Sequence, residues 1–419
     1  MSAVSDRAEP DVQFRENSVL ASRRAPPVGG SALPRARRST RCLTICYPLA
    51  GDSLGGSHHS LRGLLEGLDP ARVRAVVVPE IANGRLARFF SAFEQHRDPG
   101  APERPFEPGR SFGAFEALRT MTGLLPRIMF LRRHRVDIVH TNDGRTHATW
   151  ALAARLAGRR LVWHHRGDPH ARGLRFVAPW LADRIVTVSA FAAARSGHGG
   201  HRGAPRRVIF SPFDVSLQVD REHARERLVQ ELCCPKDVLL VGFVGSFVER
   251  KRPLVFLEVV AQLRQLLPTR AVMGIMLGEA RHPEMHARMV ARMAEPDLVG
   301  AARVLGFRAP GHEWIAGLDA LLVPAVDEPL GRTLVEAMLV GTPVIAANSG
   351  GTPEALDNSW SFLCPPDDIQ AMAAAIVSCL ADPVRMQAMT DLACALTRER
   401  FSQVKHCREV MEVYAELTG

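Results

Sequence analysis

The sequence predicts an α/β chain of two similar units, each a parallel sheet covered by helices on both faces. Three observations lead there. Near-continuous apolar runs alternate with helical stretches at residues 43–47, 73–78, 136–140, 160–164, 185–188 and 208–210, and strands of that kind separated by helices belong to parallel sheets buried on both sides. A polar stretch follows Phe213, after which a second series begins at 238–243, 272–277, 304–306, 320–324 and 344–347. The length, 419 residues, exceeds what one ordinary core of about 100–200 residues holds. The expected organisation is a basic arm over residues 1–41, a first unit over 42–225, a second over 226–395, and a closing helical segment over 396–419. The arm carries eight arginines against four acids and no sustained periodicity.

Composition bounds what these units can do. With 46% hydrophobic and 23% charged residues and a mean hydropathy of −0.03, the chain can bury two cores, which excludes a disordered or fibrous protein. No apolar run approaches the ~18–20 residues of a membrane-spanning helix. The net charge of +9 favours anionic partners: nucleotides, phospholipid surfaces or nucleic acid. Nucleic acid is disfavoured because no zinc spacing, aromatic RNA-binding signature or helix-turn-helix pattern is present. Of the 53 basic residues only Lys236, Lys251 and Lys405 are lysines, so each lysine invites scrutiny. The eight cysteines lack CxxC or Cys/His ligand spacing, as expected in a reducing compartment. Cys42 and Cys46, four apart in the first strand, are expected to be small core residues. Arginines without an apolar segment at the N-terminus argue against a secretory signal, so a cytoplasmic location is expected. The Pro- and Gly-rich stretch 98–110 reads as a surface loop.

In open parallel sheets, ligands bind beyond the carboxyl ends of the strands, so the loops after each strand are where site residues are expected. In 51–57, Gly55 and Gly56 precede a helix beginning near His58, suiting close backbone approach and phosphate. In 161–168, His164 and Arg166 share one face of a strand and His165 the other, so His164 and Arg166 can converge on an anion or a hydroxyl. In 242–253, Gly245 and Ser246 form a turn that delivers Arg250, Lys251 and Arg252 ahead of a helix; three adjacent cations repel unless an anion neutralises them, and diphosphate is the preferred anion. In 324–338, Gly331 opens a helix running to about Val340, and the free amides of Gly331, Arg332, Thr333 and Leu334 form an anion site with the helix dipole. Glu328 and Glu336 bracket that site with hydroxyl-binding carboxylates. In 348–354, Gly350 and Gly351 are consistent with a second close approach to ligand.

The run Asp327-Glu328-Pro-Leu-Gly331-Arg332-Thr333-Leu334-Val-Glu336-Ala-Met, followed by Gly341-Thr-Pro-Val and then Gly350-Gly351-Thr-Pro-Glu354, resembles the signature of retaining glycosyltransferases of the GT-B fold, specifically family GT4, glycosyl transferases group 1. Val304 and the following Leu-Gly-Phe are similar to that family's base-proximal loop, Gly245 with Lys251 to its diphosphate turn, and Gly55-Gly56 to its N-terminal glycine loop. The likeness spans roughly residues 42–419 and is looser before 235. It implies two facing Rossmann-like domains, with a C-terminal helix returning to the first. It also implies transfer of a sugar from a nucleoside diphosphate sugar, UDP- or GDP-linked, with retention of anomeric configuration, no protein nucleophile, no metal and no other cofactor. Glu336 would hold the ribose, and the amides of 331–334 with Lys251 the diphosphate. Glu328 would contact the transferred sugar. Arg166 stands where many members keep a histidine, a task that His164 or His165 could also take. Ser246 occupies a place where arginine is frequent, and Gly278 with the residues to Arg281 lacks a second glycine.

The expected catalytic set is therefore Glu328, Lys251, Arg166 and His164. The donor-binding set is Gly55, Gly56, Gly245, Ser246, Lys251, Val304, Gly331, Arg332, Thr333, Leu334 and Glu336. The acceptor would be a glycan or a lipid-linked saccharide, as in cell-surface polysaccharide or lipopolysaccharide synthesis. Arg127, Arg132, Arg133 and Arg135 on one amphipathic segment suit either peripheral contact with an anionic membrane or a solvated helix face. Two other readings compete: a nucleotide-sugar epimerase on the same fold, and a non-catalytic nucleotide-sugar- or glycan-binding partner in a biosynthetic complex.

Overall fold

The computed structural model describes residues 41–101, 121–166, 178–195, 203–280 and 282–419. The expected basic arm, except for Arg41, and residues 102–110 of the 98–110 loop lie outside the described residues. Seven strands build the first sheet: β1 (Leu43–Leu49), β2 (Val73–Pro79), β3 (Glu94–Gln95), β4 (Ile138–Thr141), β5 (Arg160–His165), β6 (Arg184–Thr187) and β7 (Arg206–Val208). All pair in parallel, in the order β3-β2-β1-β4-β5-β6-β7. The second sheet contains β8 (Leu239–Val244), β9 (Val272–Leu277), β10 (Ala302–Gly306), β11 (Ala320–Val323), β12 (Val344–Ala347) and β13 (Phe362–Cys364), also parallel, in the order β10-β9-β8-β11-β12-β13. This is the GT-B architecture of two Rossmann-like lobes.

The central strands are buried along nearly their whole length because helices cover both faces. Ile45, Cys46, Tyr47, Val76, Val77, Ile138, Val139 and Val162 are all inaccessible. Strand order reverses at β1, flanked by β2 and β4, and again at β8, flanked by β9 and β11. Ligand crevices form at such reversals, beyond the strands' carboxyl ends. The loops after β1, β8 and β11 thus come to the candidate site by topology alone.

The final helix, Gln403–Thr418, buries Cys407, Val410, Val413, Tyr414 and Leu417 in the core of the first lobe, as the sequence implied. Residue 225, the expected division, falls inside the helix Arg221–Leu232, whose buried Ala224 and Leu228 belong to a core of the second lobe. Two strands escaped the sequence reading. β3 is two polar residues on an edge, and β13 is three residues on the opposite lobe's edge. The expected strand at 208–210 lies instead at Arg206–Val208, where Arg207 pairs with Glu412 and Glu416 of the last helix. Cys42 is exposed just before β1, so only Cys46 is a core residue.

Arg127 also departs from expectation. It leaves the solvent face of the helix Leu124–Arg133 and is 2% exposed against Asp98, 5% exposed, at 2.8 Å. The guanidinium also donates to the carbonyls of Gly100 and Thr149 and lies over Trp150. Asp98 thus ties the 98–101 turn to two helices. Removing one partner of such a pair costs about 3–5 kcal/mol, because the survivor keeps a buried, unmatched charge.

Candidate functional site

The site is built from β-strand ends upward. After β8 the chain turns at Gly245 (φ +148), which glycine adopts without strain. A side chain there would meet Lys251, whose Cε lies 3.8 Å from the added carbon. Gly278, at the end of β9, has φ +147, and a Cβ on it would strike the Gly245 carbonyl at 1.9 Å. This glycine serves the close approach of two strand ends. The short helix Glu249–Lys251 then delivers Arg250 and Lys251, and Arg252 (φ +57) caps it.

The three adjacent cations are neutralised from within the protein. Lys251 Nζ lies 2.9 Å from Glu328 Oε2, and Arg250 pairs with the same oxygen. Arg252 meets Asp367 at 3.2 Å. Repulsion among them therefore gives no independent sign of a bound anion. Burial pushes the Glu328 carboxyl up, but Lys251 and Arg250 outweigh it and hold the group below its ordinary range. Glu328 is thus an ionised carboxylate with one oxygen committed to two cations.

Gly331 (φ +91) caps the helix Arg332–Leu339, and no side chain caps its first amides. Leu334 is buried in the core, so only its backbone can serve a ligand. The buried Thr333 hydroxyl has no partner among the described residues. Glu336, one turn in, lies 3.5 Å from Arg332. Burial raises its pKa, with Arg332 and His312 opposing. The turn at Gly350 and Gly351 packs directly on this loop. Cβ atoms there would lie 2.6 Å from the Glu328 backbone and 2.1 Å from the Pro329 carbonyl, and Gly351 N–H donates to Glu328 O at 2.8 Å. The close approach anticipated for ligand is made to the acidic loop itself.

Arg332 crosses to the first lobe. Its guanidinium donates to Ser60 Oγ at 2.9 Å and to the Pro212 carbonyl at 3.4 Å, and lies over Phe213 at 4.1 Å. Gly56 exists as glycine for this reason, since a Cβ would be 2.8 Å from Arg332 Cδ. At Gly55 an added Cβ meets nothing within 4 Å, leaving that side of the loop open. Helix Gly56–Gly67 begins two residues earlier than expected. A second tie between lobes was invisible in the sequence: the Glu354 carboxylate accepts from the amides of Ala190 and Phe191 at 2.6 and 2.7 Å.

His164 near the end of β5 and Arg166 just beyond it lie on one side, within hydrogen-bond distance of each other. Both are buried. Arg166 donates to Ser211 Oγ at 3.3 Å and to His164 Nδ1 at 3.1 Å, and no carboxylate meets it among the described residues. Burial, then nearby Arg332, lower its pKa to about 9. Arginine has no acceptor, so His164 Nδ1 carries a lone pair. His140 Nε2, 3.3 Å from that atom, must then donate. His140 Nδ1 accepts from Tyr414 OH at 2.6 Å, and Tyr414 in turn accepts from Tyr47 OH at 2.8 Å. The last helix therefore reaches Arg166 through a chain of directed hydrogen bonds. His165 points to the opposite face, edge-on to Trp163.

Val304 is 40% exposed near the end of β10, beside exposed Phe307. Ser246 is half-buried in the Gly245 turn. Gly167, Asp168 and Arg281 lie outside the described residues. Away from the crevice, Glu94, His96 and His134 bring potential metal-ligand atoms within 4.8 Å of one another, but both Glu94 oxygens already accept from Arg74. A hollow of about 650 Å³ lined by Val238, Arg264 and Asp297 lies at the opposite ends of β8 and β9 and includes none of the residues above.

Residues 239–382 match the family Glycosyl transferases group 1. The D-inositol 3-phosphate glycosyltransferase of Thermobispora bispora is 26% identical over 346 residues, 80% of this chain and 76% of that one. The chain has the GT-B fold, and its second lobe resembles group 1 glycosyltransferases. Its alignment with the D-inositol 3-phosphate glycosyltransferase of Streptomyces scabiei, 32% identical, spans less than half of either protein (43% and 42%). Among solved structures, Anabaena HepE in complex with UDP-glucose superposes on this chain with a TM-score of 0.75 at 21% identity, covering 89% of this chain and all of that one. Sucrose-phosphate synthase from Thermosynechococcus elongatus gives 0.72 at 18% identity, over 90% and 99%.

Proposed function

We propose that this chain is a glycosyltransferase that moves a sugar from a nucleoside diphosphate sugar, UDP- or GDP-linked, to a glycan or lipid-linked acceptor, with retention and without a metal, in the synthesis of cell-surface polysaccharide or lipopolysaccharide. One observation carries the reading. The ionised Glu328, clamped by Lys251 and Arg250, stands beside the uncapped amides of a helix opening at Gly331, with Glu336 one turn further.

In this reading the amides of 331–334 and Lys251 receive the diphosphate, Gly245 and Ser246 lie under it, and Glu336 takes the ribose hydroxyls. Val304 borders the base, and Gly55 and Gly56 close over the donor from the first lobe. Glu328 holds the sugar. The bond between the anomeric carbon and the phosphate oxygen breaks, and the acceptor oxygen forms the new bond on the same face. The acceptor's proton leaves with the nucleoside diphosphate. Stabilising that departing charge is the protein's main contribution, since preorganised donors act strongly in a water-poor cleft. Arg166 faces the sugar or acceptor, and His164 orients it from below. HepE, which shares the fold, binds UDP-glucose, and this supports a UDP-sugar donor.

The test is thermal unfolding with UDP- and GDP-sugars. Protection by one of them, lost in Glu336→Ala, supports donor binding, while equal protection of both proteins would sink the assignment. Retention is read from the anomeric signals of the product by NMR. Binding without transfer or hydrolysis would favour the non-catalytic partner.

A further inference from the structure

The helix Leu124–Arg133 turns an apolar face to solvent. Leu125 and Met129 are 64% and 63% exposed, and Met121, one turn earlier, is 50% exposed. At spacings of four residues these side chains form one stripe. The helix runs alongside Gly144–Leu156: Arg127 touches Thr149, Phe130 meets Trp150 edge-on, and Arg132 donates to the Leu156 carbonyl at 3.3 Å. Leu156, 52% exposed, adds an apolar side chain at the end of the neighbouring helix, beside Arg132.

Arginines surround the far end of this surface. Arg132, Arg133 and Arg135 are exposed at the end of the first helix. Arg155, Gly158, Arg159 and Arg160 line a hollow of about 360 Å³ at the end of the second. Asp183 pairs with Arg155 and Arg160, whereas Arg133, Arg135 and Arg159 meet no carboxylate among the described residues. The buried Nε of Arg159 has no partner there. One acid against six arginines leaves the surface strongly cationic.

We propose that this surface docks on an anionic phospholipid bilayer, with Leu125, Met129 and Leu156 entering the headgroup boundary and the arginines holding lipid phosphates. Exposed apolar side chains rimmed by arginine fit that boundary, where apolar burial and attraction to anionic lipid act together. A nucleic acid would use the charge and leave the stripe in water; a purely apolar partner would leave the arginines unmatched. Helix Gly144–Leu156 starts beyond the carboxyl end of β4 and runs back along the sheet, so the arginines at its far end lie away from the strand ends that form the donor crevice. The proposal goes beyond the sugar-transfer chemistry and does not depend on it.

Full-chain protein is floated with vesicles of phosphatidylcholine alone or with about 30% phosphatidylglycerol. Binding to the anionic vesicles is expected, weakened by salt. It should fall at least tenfold in the double variants Leu125→Asp with Met129→Asp and Arg132→Glu with Arg133→Glu. All four positions are exposed, so unfolding temperature and vesicle-free donor hydrolysis should stay at wild-type values. Failure of wild type to float with anionic vesicles overturns the proposal, as does equal flotation of the Leu125/Met129 variant, which would assign the binding to another cationic segment. Equal binding to neutral vesicles, or displacement by duplex RNA without loss in the Leu125/Met129 variant, also overturns it.

Discussion

Arg166 Nη2, on the residue that follows β5, donates across 3.1 Å to His164 Nδ1 near the strand's end. Because arginine can only donate, this contact fixes the tautomer of His164 and, through it, the direction of every hydrogen bond back to Tyr47. Tyr414→Phe removes the donor to His140 while keeping the ring. Its expected effect is a fall of about tenfold in kcat with KM for the donor within about twofold, as when a group that orients rather than binds is loosened. Tyr47→Phe, one bond further out, should cost less. Equal losses in both variants, tracking thermal stability, would mean the chain is structural only.

The same cluster dictates a pH dependence. His140, His164 and His406 are wholly buried, and burial, with Arg166 adding to it, pushes their pKa values below the ordinary 6.5, to about 3 for His406. His406 Nδ1 donates to the Phe210 carbonyl, so the neutral form suits the site. Folded-state values below the unfolded ones mean that the unfolded chain binds more protons in the interval between. Stability is therefore fully present above about pH 6.5 and is lost as pH falls towards the folded values. Each histidine contributes a slope of about 1.4 kcal/mol per pH unit there. Urea unfolding from pH 7 to 4.5 should show this decline, and His406→Gln should flatten it.

Gly351→Ala tests the packing of the Gly350-Gly351 turn on the acidic loop. The added carbon would lie 2.1 Å from the Pro329 carbonyl, so the loop must shift. Overpacking of this kind costs about 2 kcal/mol, and moving Glu328 away from Lys251 should lower kcat more than a hundredfold. Gly55→Ala, where a Cβ meets nothing within 4 Å, should leave stability near wild type. Denaturant curves and initial rates read both.

Asp98→Ala leaves Arg127 buried without its carboxylate. A loss of about 3–5 kcal/mol is expected, seen as a lower urea midpoint, whereas Arg133→Ala on the exposed face of the same helix should change the midpoint little. Similar midpoints for the two variants would mean that the Asp98–Arg127 pair contributes nothing.

Much of the molecule is legible in its sequence. Apolar runs bounded by turn residues marked ten of the strands because parallel strands covered by helices are apolar on both faces, whereas the run at 208–210 missed the edge strand β7 at Arg206–Val208. Glycine spacing marked the turns at Gly245, Gly331 and Gly350. The scarcity of lysine drew attention to Lys251. β3 and β13 were missed because an edge strand of two or three residues needs no apolar run, only a neighbour offering hydrogen bonds.

Local sequence determined the elements, their order and the residue types gathered at the strand ends, because backbone propensity and apolar periodicity act within a few residues. Tertiary structure decided the partners. Lys251 and Arg250 face Glu328 rather than solvent, Arg127 is interior although its helix neighbours Arg132 and Arg133 are exposed, Arg332 reaches Ser60 in the other lobe, and Tyr414 reaches β4 across 274 residues. Those choices depend on the point where each sheet reverses its strand order and on how the last helix returns. A side chain's charge is local, but the burial that gives it energetic weight is set by what the rest of the chain packs around it.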